Sequence, residues 1–89
     1  MQFNTSDFAL WSMEEYTRPD GSKPEIDKAA LANLQVFCGM ADLFSKKYEA
    51  GEVTTDIDPE TESLIITFSS EGVGSGRLVL DHVFVKNEP

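Results

Sequence analysis

The sequence predicts an α+β fold: a short N-terminal helix, one long helix, then a three-stranded antiparallel β-meander with the long helix packed on one face. Three observations carry that prediction. Apolar residues recur at steps of four and three from Ile26 to Tyr48, and the period switches to two after Gly51. Asp58-Pro59-Glu60-Thr61 then has the composition of a type I turn between two alternating runs. Helices grouped ahead of an antiparallel sheet are the mark of α+β packing. Residues 1–89 are read as one small domain, because no linker is long enough to separate two and no repeat is present.

The first helix is placed over Asp7 to Tyr16, behind the cap candidates Asn4, Thr5 and Ser6. Trp11 follows Phe8 by three positions, Met13 follows Leu10 by three, and Ala9, Met13 and Tyr16 keep helical spacing. Its apolar residues wrap around most of the circumference, so it is expected to touch two surfaces.

The long helix is expected to start at Ser22-Lys23-Pro24-Glu25, which matches a capping box, and to stop at Gly51. Ile26, Ala30, Leu34, Phe37, Ala41, Phe44 and Tyr48 form its core stripe over about seven turns. Winding the chain at helical pitch adds Ala29, Val36, Met40 and Leu43 on one flank and Leu31 and Cys38 on the other. The polar arc with Lys28, Gln35, Asp42 and Lys46 is narrow. Such a helix needs cover on more than one side, from the sheet and from the first helix or a second copy of itself. Gly39 lies on that polar arc and costs about 1 kcal/mol relative to Ala, for which close approach of another backbone is one reason and chance another.

In the first strand Val53, Thr55 and Ile57 alternate with Thr54, Asp56 and Asp58, the pattern of a half-exposed strand. The second, Ser63 to Ser69, sets Leu64, Ile66 and Phe68 against Ile65 and Thr67 and reads as central. In the third, Arg77 to Lys86, Leu78, Leu80, His82 and Phe84 oppose Val79, Asp81, Val83 and Val85. One helix covers one face, so Ile65, Val79, Val83 and Val85 are expected on the other as an apolar patch. The first helix or a second subunit would cover it, and a two-fold homodimer through these four residues is the favoured expectation. A chain of 89 residues with one Cys and one His has neither a disulfide nor a structural zinc site to reinforce its core.

Charge excludes several function classes. With 16 Asp and Glu against 7 Lys and Arg, the net charge is −9, which opposes direct binding to nucleic acid or to anionic membranes. No apolar run approaches spanning length, and Met1-Gln2-Phe3-Asn4 does not open a signal peptide. A cytoplasmic protein with Cys38 reduced is therefore expected.

No chemistry-bearing constellation stands out, and the chain is read as not an enzyme, with no cofactor and no metal. His82 is adjacent to Asp81, but neighbours on a strand point to opposite faces and cannot form a dyad. Cys38 sits mid-helix without a basic neighbour to stabilise a thiolate. Gly72-Val73-Gly74-Ser75-Gly76 leads into a strand, where a phosphate loop would lead into a helix, so it reads as a hairpin loop. Asp56 to Glu62 resembles a calcium loop only in its alternating carboxylates, since Thr61 occupies the position that needs Gly.

What the pattern leaves is an acidic run. Glu49, Glu52, Asp56, Asp58, Glu60 and Glu62 fall within fourteen residues that contain no Lys or Arg. It reads either as a solvated edge that keeps the domain from aggregating or as a docking surface for a basic protein. Specific docking also needs an apolar anchor, for which Phe3, Phe8, Trp11 and Tyr16 are the candidates. The expected function is a non-catalytic acidic binding module, in its most concrete form an inhibitor or mimic that docks on a basic, nucleic-acid-handling protein. The alternative is a structural or assembly subunit whose role is homo-oligomerisation.

Overall fold

The computed structural model describes residues 3–48 and 51–86 and has the predicted α+β architecture. Helix α1 (Thr5–Glu15) and helix α2 (Leu31–Lys47) precede strands β1 (Glu52–Asp58), β2 (Ser63–Ser70) and β3 (Gly74–Leu80). The sheet is an antiparallel meander in the order β1-β2-β3, so β2 is central and the other two are edges.

Helix α1 begins at Thr5, ahead of the predicted start, because the Asn4 side chain accepts a hydrogen bond from the Asp7 amide at 3.1 Å. Phe8 is its buried anchor, 5.9 Å from Phe37 of α2 and 5.1 Å from Trp11 between ring centroids. The Phe8–Phe37 contact joins the two helices.

Helix α2 is shorter than the periodicity predicts. Ser22 does not cap it. Its amide and hydroxyl both bond the Asp20 carboxylate, at 2.9 and 2.6 Å, inside the turn closed by the Gly21 amide on the Arg18 carbonyl. Residues 25–27 then pair with 83–85. The Asp27 amide donates to the Val83 carbonyl, the Val85 amide donates to the Glu25 carbonyl, both at 2.8 Å, and Ile26 bridges Phe84. That strap holds residues 25–27 extended, so the helix cannot begin at Ser22. The helical path opens instead at Asp27, whose carboxylate accepts from the Ala29 amide at 3.0 Å and caps a 3₁₀ turn, Lys28–Ala30, leading into α2.

The core lies between α2 and the inner face of the sheet. Leu34 and Ala41 of α2 and Leu64, Ile66 and Phe68 of β2 have no exposed surface. Phe68 stacks 5.7 Å from Tyr48 and lies 5.5 Å from Phe44. Beside it, Gly76 leaves room for Tyr48, because a Cβ there would stand 2.8 Å from the Tyr48 Oη. The glycine-rich segment is thus largely strand, and its second half is fixed by packing under an aromatic ring.

The sheet's outer face departs from expectation. Strand β3 ends at Leu80, and His82 takes a left-handed backbone with φ 59°. The alternation breaks there, so Val83 (0% exposed) and Phe84 both turn into the core and Val85 lies in the strap. Val83 therefore belongs to the core and cannot line a dimer interface with Ile65 and Val79. Those two remain a direct cross-strand pair on the outer face, flanked by the polar rows Thr54–Thr67–Arg77 and Glu52–Ser69–Ser75. The expected four-residue patch is reduced to one apolar pair. Both helices lie on the inner side, where Trp11 and Tyr16 face Thr55 and Ile57 across a cleft.

Candidate interaction surface

Strand β1 is an edge strand whose outward-facing positions are Glu52, Thr54, Asp56 and Asp58, spaced roughly 6.5 Å apart along the strand. Asp58 accepts from the Glu60 amide at 2.9 Å, which fixes the turn and holds Glu60 at its exposed tip. Asp56 accepts from the Ile57 amide at 2.8 Å. Glu52, Asp56 and Glu60 are exposed, and Asp58 is half-buried. The predicted acidic member Glu49 lies outside the described residues.

Glu62 does not belong to this edge. Its backbone is left-handed, with φ 56°, and its carboxylate turns back to form a two-point bond with Arg18, Nε to Oε2 at 2.9 Å and Nη2 to Oε1 at 3.1 Å. The same guanidinium donates to the Val85 carbonyl at 2.6 Å. Arg18 thereby joins the segment after α1, the hairpin turn and the C-terminal strap. Its bond holds the Glu62 carboxyl below the usual carboxylate range, and the carboxylate in turn raises the Arg18 guanidinium. Burial, reinforced by the Glu62 carboxylate, pushes the neighbouring Tyr16 hydroxyl up. Nothing in composition or spacing pairs two residues 44 positions apart.

The four anchor candidates separate in the same way. Phe8 and Tyr16 are buried, Tyr16 stacking on Phe84 at 6.0 Å, so both serve the core and are not available to a partner. Phe3 is half-buried against Phe8, with its amide donating to the Asp42 carboxylate. Trp11 is also half-buried, but it opens on the β1 edge, where Trp11, Glu15 and Tyr16 of the N-terminal helix region face Thr55, Asp56 and Ile57 across a shallow cleft. The sequence contains the signal for Glu15, which stands one helical turn after Trp11, although only the docking of α1 along β1 gives it meaning.

The polar groups around His82 are engaged elsewhere. A second, larger cleft is lined by Asp27, Thr61, Glu62, His82, Val83 and Lys86, among others. Asp27 caps the 3₁₀ turn, Glu62 is held by Arg18, Thr61 exchanges a bond with Ser63, and the Asp81 carboxylate accepts from the Ser63 hydroxyl. Each of these bonds holds a turn or a neighbouring segment in place. Cys38 is buried, and burial raises its thiol, which suits a small core residue better than a nucleophile. Among the described residues no group of three or more His, Cys, Asp or Glu is placed to hold a metal ion. No helix among them is long and apolar enough to cross a membrane.

The chain matches no protein-family model, no curated protein and no solved structure.

Proposed function

We propose that this protein is a non-catalytic binding module that docks its β1 edge on a basic surface of another protein. The observation that carries the reading is the cleft that joins Trp11 and Glu15 of α1 to Asp56 of β1. The indole on the inner side of this edge and the Asp56 carboxylate on its outer side bracket the cleft. That arrangement suits a partner's Lys or Arg side chain laid across the edge, its stem on the indole and its N–H groups toward the acids. Glu52, Asp58 and Glu60 extend the negative potential along the same edge, which speeds encounter with a cationic surface. Trp11 would supply the desolvated centre and the carboxylates the rim. Proteins that handle nucleic acid present such basic surfaces, and an acidic edge seated there would exclude phosphates by occupying their place.

The chain has one Trp, so Trp11 fluorescence reports directly on the proposed anchor. The chain is immobilised, incubated with lysate at rising salt, and each recovered protein is titrated against Trp11 emission. The reading expects a basic partner, lost as salt rises, whose binding shifts that emission. Charge reversal at the exposed Glu52, Asp56 and Glu60 should slow association with the fold intact. Recovery of the chain alone, or a partner that leaves Trp11 unperturbed and ignores salt, overturns it.

A further inference from the structure

The exposed stripe of α2 lies away from the acidic edge and is not used by the reading above. Val36 and Leu43 are 63% and 65% exposed, and Met40 between them is 44% exposed. At positions i, i+4 and i+7 these residues share one side of the helix. Ala32 and Gly39, both exposed, border this stripe, Gly39 where it meets the polar arc. Val36 and Met40 also form one wall of an apolar groove whose other wall is Leu78, Val79 and Leu80 on the free edge of β3.

We propose that this stripe is the interface of a two-fold homodimer in which α2 packs antiparallel on its mate. Three observations commit the face to a second copy. The first is Gly39, the midpoint of the helix Leu31–Lys47, where a built Cβ meets nothing within 4 Å. The chain's own packing therefore gives no reason for a glycine, whereas a second backbone passing at that point would.

The second is self-complementarity. A two-fold axis between Gly39 and Met40 sets Met40 of each copy over the space left by Gly39 of the other. The same axis pairs Val36 with Leu43 and lays the Lys47 stem over Ala32, so both bulky apolar residues meet a fitting neighbour. Each of these contacts is made twice, once from each copy, as a two-fold interface requires.

The third is charge. Of the 16 acidic residues, α2 and β3 together contain only Asp42, whose carboxylate is taken by the Phe3 amide. The same elements contain Lys46, Lys47 and Arg77. This is the side on which two copies of charge −9 can meet without opposing carboxylates, while their β1 edges point away from each other. The apolar side chains on the stripe and β3 offer roughly 400 Å² per copy, about half of what each partner of a standard stable complex buries. The dimer is therefore reversible and concentration-dependent.

Sedimentation from micromolar to millimolar concentration tests this on the intact chain. The wild-type chain is expected to pass from monomer to dimer. Leu43→Glu, a change at a solvent-facing position, should raise the dimer dissociation constant more than about tenfold with unchanged circular dichroism. Met40→Ser provides an uncharged second variant. Gly39→Ala should raise the melting temperature at low concentration through better helix propensity and yet weaken self-association, an opposition that a merely tolerated glycine would not produce. A chain that stays monomeric throughout overturns the proposal. So does a dimer indifferent to Leu43→Glu and Met40→Ser, or one broken instead by Ile65→Glu, which would place the interface on the outer sheet face.

Discussion

Replacing Arg18 by Ala tests the staple that joins the segment after α1 to the hairpin turn and the C-terminal strap. The side chains of Arg18 and Glu62 are 11% and 29% exposed, so the pair is neither a surface ion pair nor fully desolvated. Exposed pairs contribute roughly 0.2–1 kcal/mol, and hydrogen bonds to charged groups about 1.5–3 kcal/mol when buried. Arg18 makes two bonds to Glu62 and one to the Val85 carbonyl. Discounting for the solvent that reaches Glu62, Arg18→Ala should cost about 2 kcal/mol, of which about 1 kcal/mol is coupling to Glu62. For a domain of this size that lowers the melting temperature by about 10 °C.

The measurement is a double-mutant cycle of Arg18→Ala with Glu62→Gln in urea, followed by circular dichroism and repeated as pH falls. The folded-state value of the Glu62 carboxyl lies below its ordinary 4.5. Its contribution is therefore complete above that ordinary value and is lost as pH falls through the lower folded one. The coupling should be intact at pH 7 and vanish in that acid window, while the part owed to the Val85 carbonyl persists. A coupling that is zero at neutral pH, or that survives unchanged to the lowest pH at which the chain folds, refutes the reasoning.

Val83→Asp should abolish folding, because it buries an unpaired carboxylate where the wild-type side chain is 0% exposed. Val79→Asp, at a position 49% exposed, should cost less than about 1 kcal/mol. Equal effects in thermal melts would contradict the reversal of faces at His82. Gly76→Ala should destabilise by about 1–3 kcal/mol through the contact with the Tyr48 hydroxyl, and Tyr48→Phe in the same chain should recover part of that loss in urea unfolding. Cys38 should react with a thiol reagent at pH 8 only at the rate of unfolding, because it is 2% exposed and burial raises its thiol. Rapid labelling of the native chain would show the helix packing to be wrong.

The elements themselves were legible. Local periodicity identifies α2 and all three strands, because a helix or strand that buries one face must repeat its apolar residues at its own pitch. Asn4 and the Asp58-Pro59 turn were readable for the same reason, since their bonds close within a few residues. The acidic edge was partly legible: Glu52, Asp56, Asp58 and Glu60 form it as their alternation implies, but Glu62 does not.

The remainder depended on bonds between distant residues. Asp20 took Ser22 from the helix start, and the pairing of 25–27 with 83–85 kept that segment extended. The left-handed turn at His82 moved Val83 from the expected outer patch into the core. Sequence by itself determined which residues must hide and with what period. The tertiary structure decided which side of the sheet receives them and which acids are neutralised, because those outcomes depend on competition among groups that meet only once the chain has closed.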